Sequence, residues 1–373
     1  MFCFIKEQNI ERLISAVLIS LSYILILYCG EARGYAGLVF FSLLSWFVLE
    51  KILSSKAEAF LYFHALSFLI VVMLGFLSHL LFINTFLSLC AYAVVRFMRS
   101  ERSKLHLVIL LAVPCLVIAP YLLIFFKNTA ILSGPKQSMF DVILSSMTVA
   151  VGGAPLSVFN PTLTLFLLGF ATYAIALSIV ELYTLWKEGR KEWFFFSCVI
   201  FLVPSIMLLL HRPAVLFERY FIVSMVFFYI LIASRLARMA KQGGVNLAIT
   251  VVFLILFAVT NLTQSYRLTQ YGRGEYQRLA NYLKNQPLFD KEALSSHLST
   301  DHPFRTSEVL SYYLKEEINI SSNPLEFHLT HSQDRYYRPE RAISLANKNY
   351  KLVDEYKSGS LSGWNWYLYK ASS

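Results

Sequence analysis

Charge is scarce in this 373-residue chain. Asp, Glu, Lys and Arg make up 15% of it and hydrophobic residues 57%, against about 25% and roughly 45–50% in soluble domains. A water-soluble globular class is excluded, because such a fold could not hide that much apolar surface. Cysteine is also sparse. Cys3, Cys29, Cys90, Cys115 and Cys198 all fall in the apolar part of the chain and none in the polar tail, so no disulfide framework is encoded. The sequence has no P-loop, dinucleotide fingerprint, zinc-type Cys/His spacing, internal repeat or low-complexity tract. No metal and no cofactor is therefore expected.

What the chain does have is long apolar runs. Mean hydropathy is +0.55, and the 31 Phe and 22 Tyr suit lipid-facing helices with interfacial aromatics. Runs over 13–29, 35–50, 58–77, 79–97, 105–126, 161–186, 193–211, 219–236 and 245–263 each approach the ~20 residues that cross a hydrocarbon core. The expected fold is an α-helical polytopic membrane protein of about nine spans. Pro114 and Pro120 should kink the fifth. The first run is long and lacks a small-residue cleavage pattern, so it reads as a retained span.

A net charge of +10 would suggest nucleic acid in a soluble protein, but its distribution argues for topology. Residues 1–263 hold 19 Lys/Arg against 11 Asp/Glu, and residues 264–373 hold 14 against 12. With a cytoplasmic N-terminus, 14 basic residues of the membrane part face the cytoplasm and only Arg33, Lys127, Lys136, Arg212 and Arg219 face outward. The turn at Glu31, the loop 127–160, the turn 212–219 and the tail then share the outer face. No nucleic-acid partner is expected; membrane lipid is.

Within the loop 127–160, residues 138–147 have helical apolar spacing and include Asp141. Two readings stand open: an amphipathic helix lying on the membrane, or a short re-entrant packing helix. From residue 264 the chain turns polar and Tyr-rich, long enough for a small α/β domain outside the membrane. Helices are expected over 274–285 and 304–314. Strands are expected over 293–298, 326–329, 350–355 and 364–368, the last two joined by a Ser/Gly-rich turn.

Candidate chemistry lies on the outer face. Glu31 and Arg33 stand at a membrane boundary, where charge is costly to keep. Arg33 is either a bidentate phosphate ligand or a snorkelling cation paired with Glu31. Arg212 and Arg219 flank a second outer turn that also holds Glu218 and Tyr220, and the two arginines are placed to grip a lipid phosphate; alternatively Glu218 and Arg219 form a structural ion pair. His79, in Ser78-His79-Leu80, either bonds a phosphate or sugar hydroxyl or is a packing residue. Glu31, Asp141 and Glu218 are the carboxylates available as a general base. Glu181 is assigned a packing or snorkelling role, and His297, His302, His328 and His331 are taken as surface residues.

The run Cys29-Gly30-Glu31-Ala32-Arg33-Gly34-Tyr35-Ala36 resembles the S/G-E-A-R-P-Y-A-L-L signature of bacterial polytopic glycosyltransferases of the GT-C type, relatives of the dolichyl-phosphate-mannose mannosyltransferases and the lipid A aminoarabinose transferases; Gly34 replaces the Pro. Arg219-Tyr220 is similar to that family's P-R-Y-L-L-P motif and His79 to its Ser/Thr-His turn. The resemblance implies transfer of a sugar from a polyprenyl-phosphate donor to an envelope glycan or lipid acceptor at the outer face of a bacterial inner membrane. It also implies substrate-binding roles for Arg33, Tyr35, His79, Arg212, Arg219 and Tyr220.

Members of that superfamily carry a catalytic Asp in a first outer loop that would precede Met1. The expectation is therefore a truncated gene product, half of a split enzyme completed by a partner subunit, or a divergent member using Glu31, Asp141 or Glu218. The competing class is a non-enzymatic membrane protein, either a carrier of a lipid-linked glycan or a scaffold subunit. Intramembrane charges facing a central cavity on both sides would favour the carrier; charges confined to one face, as in this sequence, favour surface chemistry on a lipid substrate.

Overall fold

The computed structural model describes residues 9–31, 34–54, 58–97, 111–116, 119–120, 123–124, 138–153, 161–211, 217–286, 294–332, 337–359, 361 and 363–372. The chain divides into two units, Met1–Gly153 with Leu165–Leu262, and Ala154–Thr164 with Thr263–Ser373.

The first unit is helical. Its elements are α1 (Asn9–Leu21), α2 (Tyr23–Cys29), α3 (Tyr35–Ser54), α4 (Glu58–Ser78), α5 (Phe82–Phe97), α6 (Met139–Ala150), α7 (Pro161–Lys187), α8 (Glu192–Ser197), α9 (Val203–His211), α10 (Ile222–Gln242) and α11 (Gly244–Tyr271). Four helical stretches are long and apolar enough to cross a membrane: Tyr35–Ser54, Thr162–Lys187, Glu218–Gln242 and Gly244–Lys284. A fifth is added if α1 and α2 count as one broken span. These helices fit a membrane protein, but the nine expected spans are not reproduced among the described residues. α5 has 16 residues, a rise of roughly 24 Å where the hydrocarbon core needs about 30 Å. The run at 193–211 is divided by a π-helical turn at Cys198–Leu202. The run at 105–126 lies largely outside the described residues. The first run, read as one span, is bent by 61° between α1 and α2.

Of the Glu218–Gln242 span 72% is buried by the rest of the protein, against 22–33% for the other three, so α10 is the central helix of this unit. Its polar residues satisfy its neighbours. The Ser224 hydroxyl donates to the Val199 carbonyl at 2.7 Å, supporting the π turn. Elsewhere Ser42 and Thr85 hydroxyls join α3 to α5 at 2.7 Å, and Tyr92 donates to Glu50 between the same helices. Such pairs are the expected glue between helices in lipid.

The second unit holds α12 (Tyr276–Lys284), α13 (Leu294–His297), α14 (Pro303–Leu314) and strands β1 (Leu298–Thr300), β2 (Phe327–Ser332), β3 (Ala342–Leu345), β4 (Lys348–Tyr356) and β5 (Asn365–Ala371). The sheet order is β1-β2-β5-β4-β3. β1 and β2 are parallel, with α14 as their crossover, and the remaining pairs are antiparallel. Alternation along β5 divides the two faces. Trp366 and Leu368 join Leu279, Leu283, Leu298 and Leu310 in one core, while Tyr367 and Tyr369 pack with Tyr350 on the other face. The small α/β unit after the last span is thus present.

Two details differ from expectation. Residues 294–297 form a helical turn, and the strand begins only at Leu298. β3 was not anticipated: it is short and largely exposed, and its turn needs positive φ at Ala346 (47°) and Asn347 (63°), a two-residue hairpin turn that no glycine announces.

Candidate functional site

The segment from α2 to α3 makes one wall of the candidate site. The Glu31 N–H donates to the Tyr28 carbonyl at 3.2 Å, closing a turn after α2. Gly34 follows at φ +75°, and Gly37 packs so closely on α4 that an added Cβ would lie 2.6 Å from Ser78 Oγ. Proline is held near φ −65°, so the Pro of the resembled signature could not adopt the Gly34 backbone. The departure at this position is therefore conformational.

Tyr35, 3% exposed at the start of α3, lies 5.4 Å from the Tyr28 ring and 4.6 Å from the His79 ring. His79 sits between α4 and α5 and accepts the Leu81 N–H on Nδ1 at 3.1 Å, which leaves a neutral ring with its proton on Nε2. Burial holds the His79 imidazole below its ordinary pKa, and the charge of Arg219 pushes the same way. His79 is thus a neutral donor near pH 7.

Arg219 occupies the 3-10 turn Glu218–Phe221 that precedes α10. Its guanidinium carbon lies 4.5 Å from the Phe217 ring centre and 5.6 Å from that of Tyr220. Its Nε is buried without a hydrogen-bond partner among the described residues. No ion pair joins it to Glu218 among those residues, so the ion-pair alternative for these two side chains is not what the fold builds. Glu218 is 6% exposed, receives the Ser145 hydroxyl of α6, and with Arg219 acts electrostatically on Tyr28.

The structure therefore brings Tyr35, His79, Glu218 and Arg219 together with Tyr28, which sequence reasoning missed. Tyr220 belongs to an apolar cluster with Val142, Leu208 and Phe221. Asp141 stands apart. It is exposed in the first turn of α6, where its N–H donates to Ser138 Oγ at 3.0 Å and the same hydroxyl donates back to its carboxylate at 2.6 Å; this is a helix cap. Arg33 and Arg212 lie outside the described residues. A permanent cation, a neutral imidazole N–H and tyrosines at one end of the helical unit are suited to an anion, with the Glu218 carboxylate beside them.

The opposite end of α10 carries a second charged cluster. Glu181 is fully buried and accepts from Ser234 at 2.9 Å and from Arg238 Nε at 3.0 Å, and Arg238 also binds Glu188 through two nitrogens. Glu181 is thus neither snorkelling nor passive packing. No local sequence signal links α7 to α10, so only the fold reveals it.

The tail histidines are corrected as well. His328 is 4% exposed. His331, closing β2, bonds through Nδ1 to Asp301 Oδ1 at 2.7 Å and stacks on Trp364 at 4.1 Å. His302 meets Trp364 at 4.7 Å, and the Arg305 guanidinium lies 3.8 Å from the same indole. The parallel pairing of β1 and β2 places Asp301 beside His331, 30 residues apart in the chain. No group of three His, Cys, Asp or Glu suited to a metal occurs among the described residues.

Compared with protein-family models, with curated proteins and with solved structures, the chain matches none.

Proposed function

We propose that this chain is a membrane protein that binds the phosphate of a polyprenyl-phosphate-linked sugar at the Arg219 end of its helical unit and takes part in transferring that sugar to an envelope glycan or lipid acceptor. The reading carries over the GT-C-type resemblance, with a bacterial inner-membrane location, a cytoplasmic N-terminus and the α/β unit outside. The observation that carries it is Arg219: a guanidinium at a membrane boundary, flanked by Phe217 and Tyr220, with a buried Nε that no described residue satisfies. Such a group suits a phosphate oxygen. His79 adds a neutral donor, and Arg33 and Arg212 are assigned to the same basic set from the sequence alone.

An inverting transfer needs a carboxylate to take the acceptor's proton. Glu218, buried beside Arg219, is the assigned base, with Glu31 the alternative on the neighbouring turn; the cap geometry of Asp141 argues against it. In this reading a partner subunit that supplies a catalytic carboxylate raises turnover by about 10²–10⁴-fold.

The test is binding of a polyprenyl-phosphate sugar to the purified protein. Arg219→Lys keeps the charge and loses the planar fork, so affinity should weaken by more than ~1 kcal/mol with helicity intact. Equal binding by wild type and Arg219→Ala would sink the proposal. The carrier reading is favoured by one observation, the charged cavities at the Arg238 end lined by Glu11, Glu50, Arg190 and Arg235. It predicts movement of a labelled lipid-linked glycan between leaflets of proteoliposomes without sugar transfer.

A further inference from the structure

Two cavities adjoin at the Arg238 end of the helical unit, sharing Glu11, Arg190 and Ser234 in their walls, with volumes of about 490 and 200 Å³. The larger is formed by α1, the end of α7 and the last turns of α10. Arg190, Arg235, Arg238 and Lys241 line it, against the single carboxylate of Glu11.

These cations are not equivalent. Arg238 is committed to the frame: its Nε and both terminal nitrogens bond Glu181 and Glu188. Arg190 lies 3.4 Å from Glu192, a loose contact for an ion pair. Arg235, on the same helix as Arg238 and three residues earlier, forms no ion pair among the described residues, and its Nε is buried without a hydrogen-bond partner among them. A permanent charge with a buried, unsatisfied donor in a cavity wall is a demand for an anionic acceptor.

The chemistry of that acceptor follows from the walls and the volume. A guanidinium prefers the paired oxygens of a phosphate or carboxylate, and flanking Lys and Arg charges favour the group with more negative charge. A volume near 490 Å³ falls in the range that holds a small organic molecule rather than a bare ion. The cavity lies where α7 and α10 end, the depth at which basic pockets between spans meet lipid headgroups.

We propose that this cavity is a second phosphate site, distinct from the Arg219 end, in which Arg235 contacts the phosphate directly, Arg190 and Lys241 flank it, and the Glu181–Arg238–Glu188 network holds the wall in place. The phosphate is carried either by a phospholipid headgroup or by a soluble ligand. The two sites lie at opposite ends of α10, separated by roughly 24 Å of helix, so this assignment does not depend on the function proposed above.

The full chain in a neutral detergent would be titrated with dioctanoyl phosphatidylglycerol and, separately, with inorganic phosphate, followed by calorimetry. Saturable binding of the lipid alone identifies a headgroup site; saturable binding of inorganic phosphate identifies a soluble-phosphate site. In either case Arg235→Gln should weaken binding at least tenfold, and Arg235→Lys should weaken it several-fold. Glu11→Gln, which removes the lining carboxylate, should tighten binding, a result that a misfolded variant cannot imitate. The proposal is overturned if neither probe binds wild type saturably, or if both Arg235 variants bind within twofold of wild type.

Discussion

The backbone N–H of Tyr23 donates to Asn261 Oδ1 across 2.8 Å, joining the break between α1 and α2 to the distant helix α11. A 61° bend frees backbone groups that lipid cannot satisfy. Asn261, fully buried, supplies the acceptor and anchors its own amide to the Phe257 carbonyl at 2.9 Å. Ser22 adds a 3.1 Å hydroxyl contact with Tyr229. Asn261→Ala should therefore cost about 1–3 kcal/mol of stability. Amide exchange at Tyr23 should quicken more than at Ile14 in the same variant, and equal protection at Tyr23 in both proteins would refute the role.

The Gly34 and Gly37 contacts with Ser78 differ in kind. At Gly34 a Cβ would run into the Ser78 backbone carbonyl, and φ is +75°; at Gly37 it would meet the Ser78 side chain, 2.6 Å from Oγ and 2.9 Å from Cβ. Gly34→Ala should lower stability by at least ~1–2 kcal/mol from its backbone conformation alone. Gly37→Ala should be rescued by Ser78→Gly, and Gly34→Ala should not. Thermal midpoints of the four variants in detergent would separate the cases.

Arg238 bridges a buried and an exposed glutamate: the Glu181 side chain is 0% exposed and that of Glu188 38%. Removing the cation strands the first, so Arg238→Gln should destabilise the protein by about 3–5 kcal/mol. Glu188→Gln should cost about 0–1 kcal/mol, as solvent-accessible pairs do. Similar unfolding midpoints for the two variants would show that burial does not govern this network.

His328 gives the second unit a pH dependence of known sign. Its Nδ1 donates to Ser299 Oγ at 2.9 Å, because that hydroxyl donates onward to the Phe327 carbonyl at 3.0 Å. Burial holds the imidazole below its ordinary pKa, partly opposed by Asp301. The unfolded chain therefore takes up the proton first. The stability contributed by neutral His328 is present above the ordinary value near 6.5 and is lost as pH falls from there toward the folded value. Tryptophan-monitored unfolding from pH 8 to 5 should show this decline, and His328→Asn, which keeps a donor but does not titrate, should flatten it.

Long apolar runs and polar punctuation made the helical class, the outline of the C-terminal strands and the helices at 276–284 and 303–314 legible. The run at 13–29 misled because its break comes at Ser22, where no Gly or Pro stands, and is stabilised by Asn261, 238 residues away. At the candidate site, Tyr35, His79, Glu218 and Arg219 were readable as boundary residues, whereas Tyr28 lay inside an apolar run and looked like lipid-facing bulk. Asp141 looked like a candidate base until the Ser138 cap accounted for it.

By itself the sequence determined that this chain buries its apolar surface in helices fit for a bilayer and that a polar α/β unit follows, because hydropathy and alternation are local properties that no tertiary contact can reverse. Only the tertiary structure decided which charges are neighbours. Glu181 meets Arg238, Asp301 meets His331 and Arg219 approaches His79 because packed helices and paired strands cancel sequence distances of 30 to 140 residues. Whether a buried charge becomes a frame or a site depends on whether that packing supplies its partner: Arg238 receives two carboxylates, while the Nε atoms of Arg219 and Arg235 receive none among the described residues.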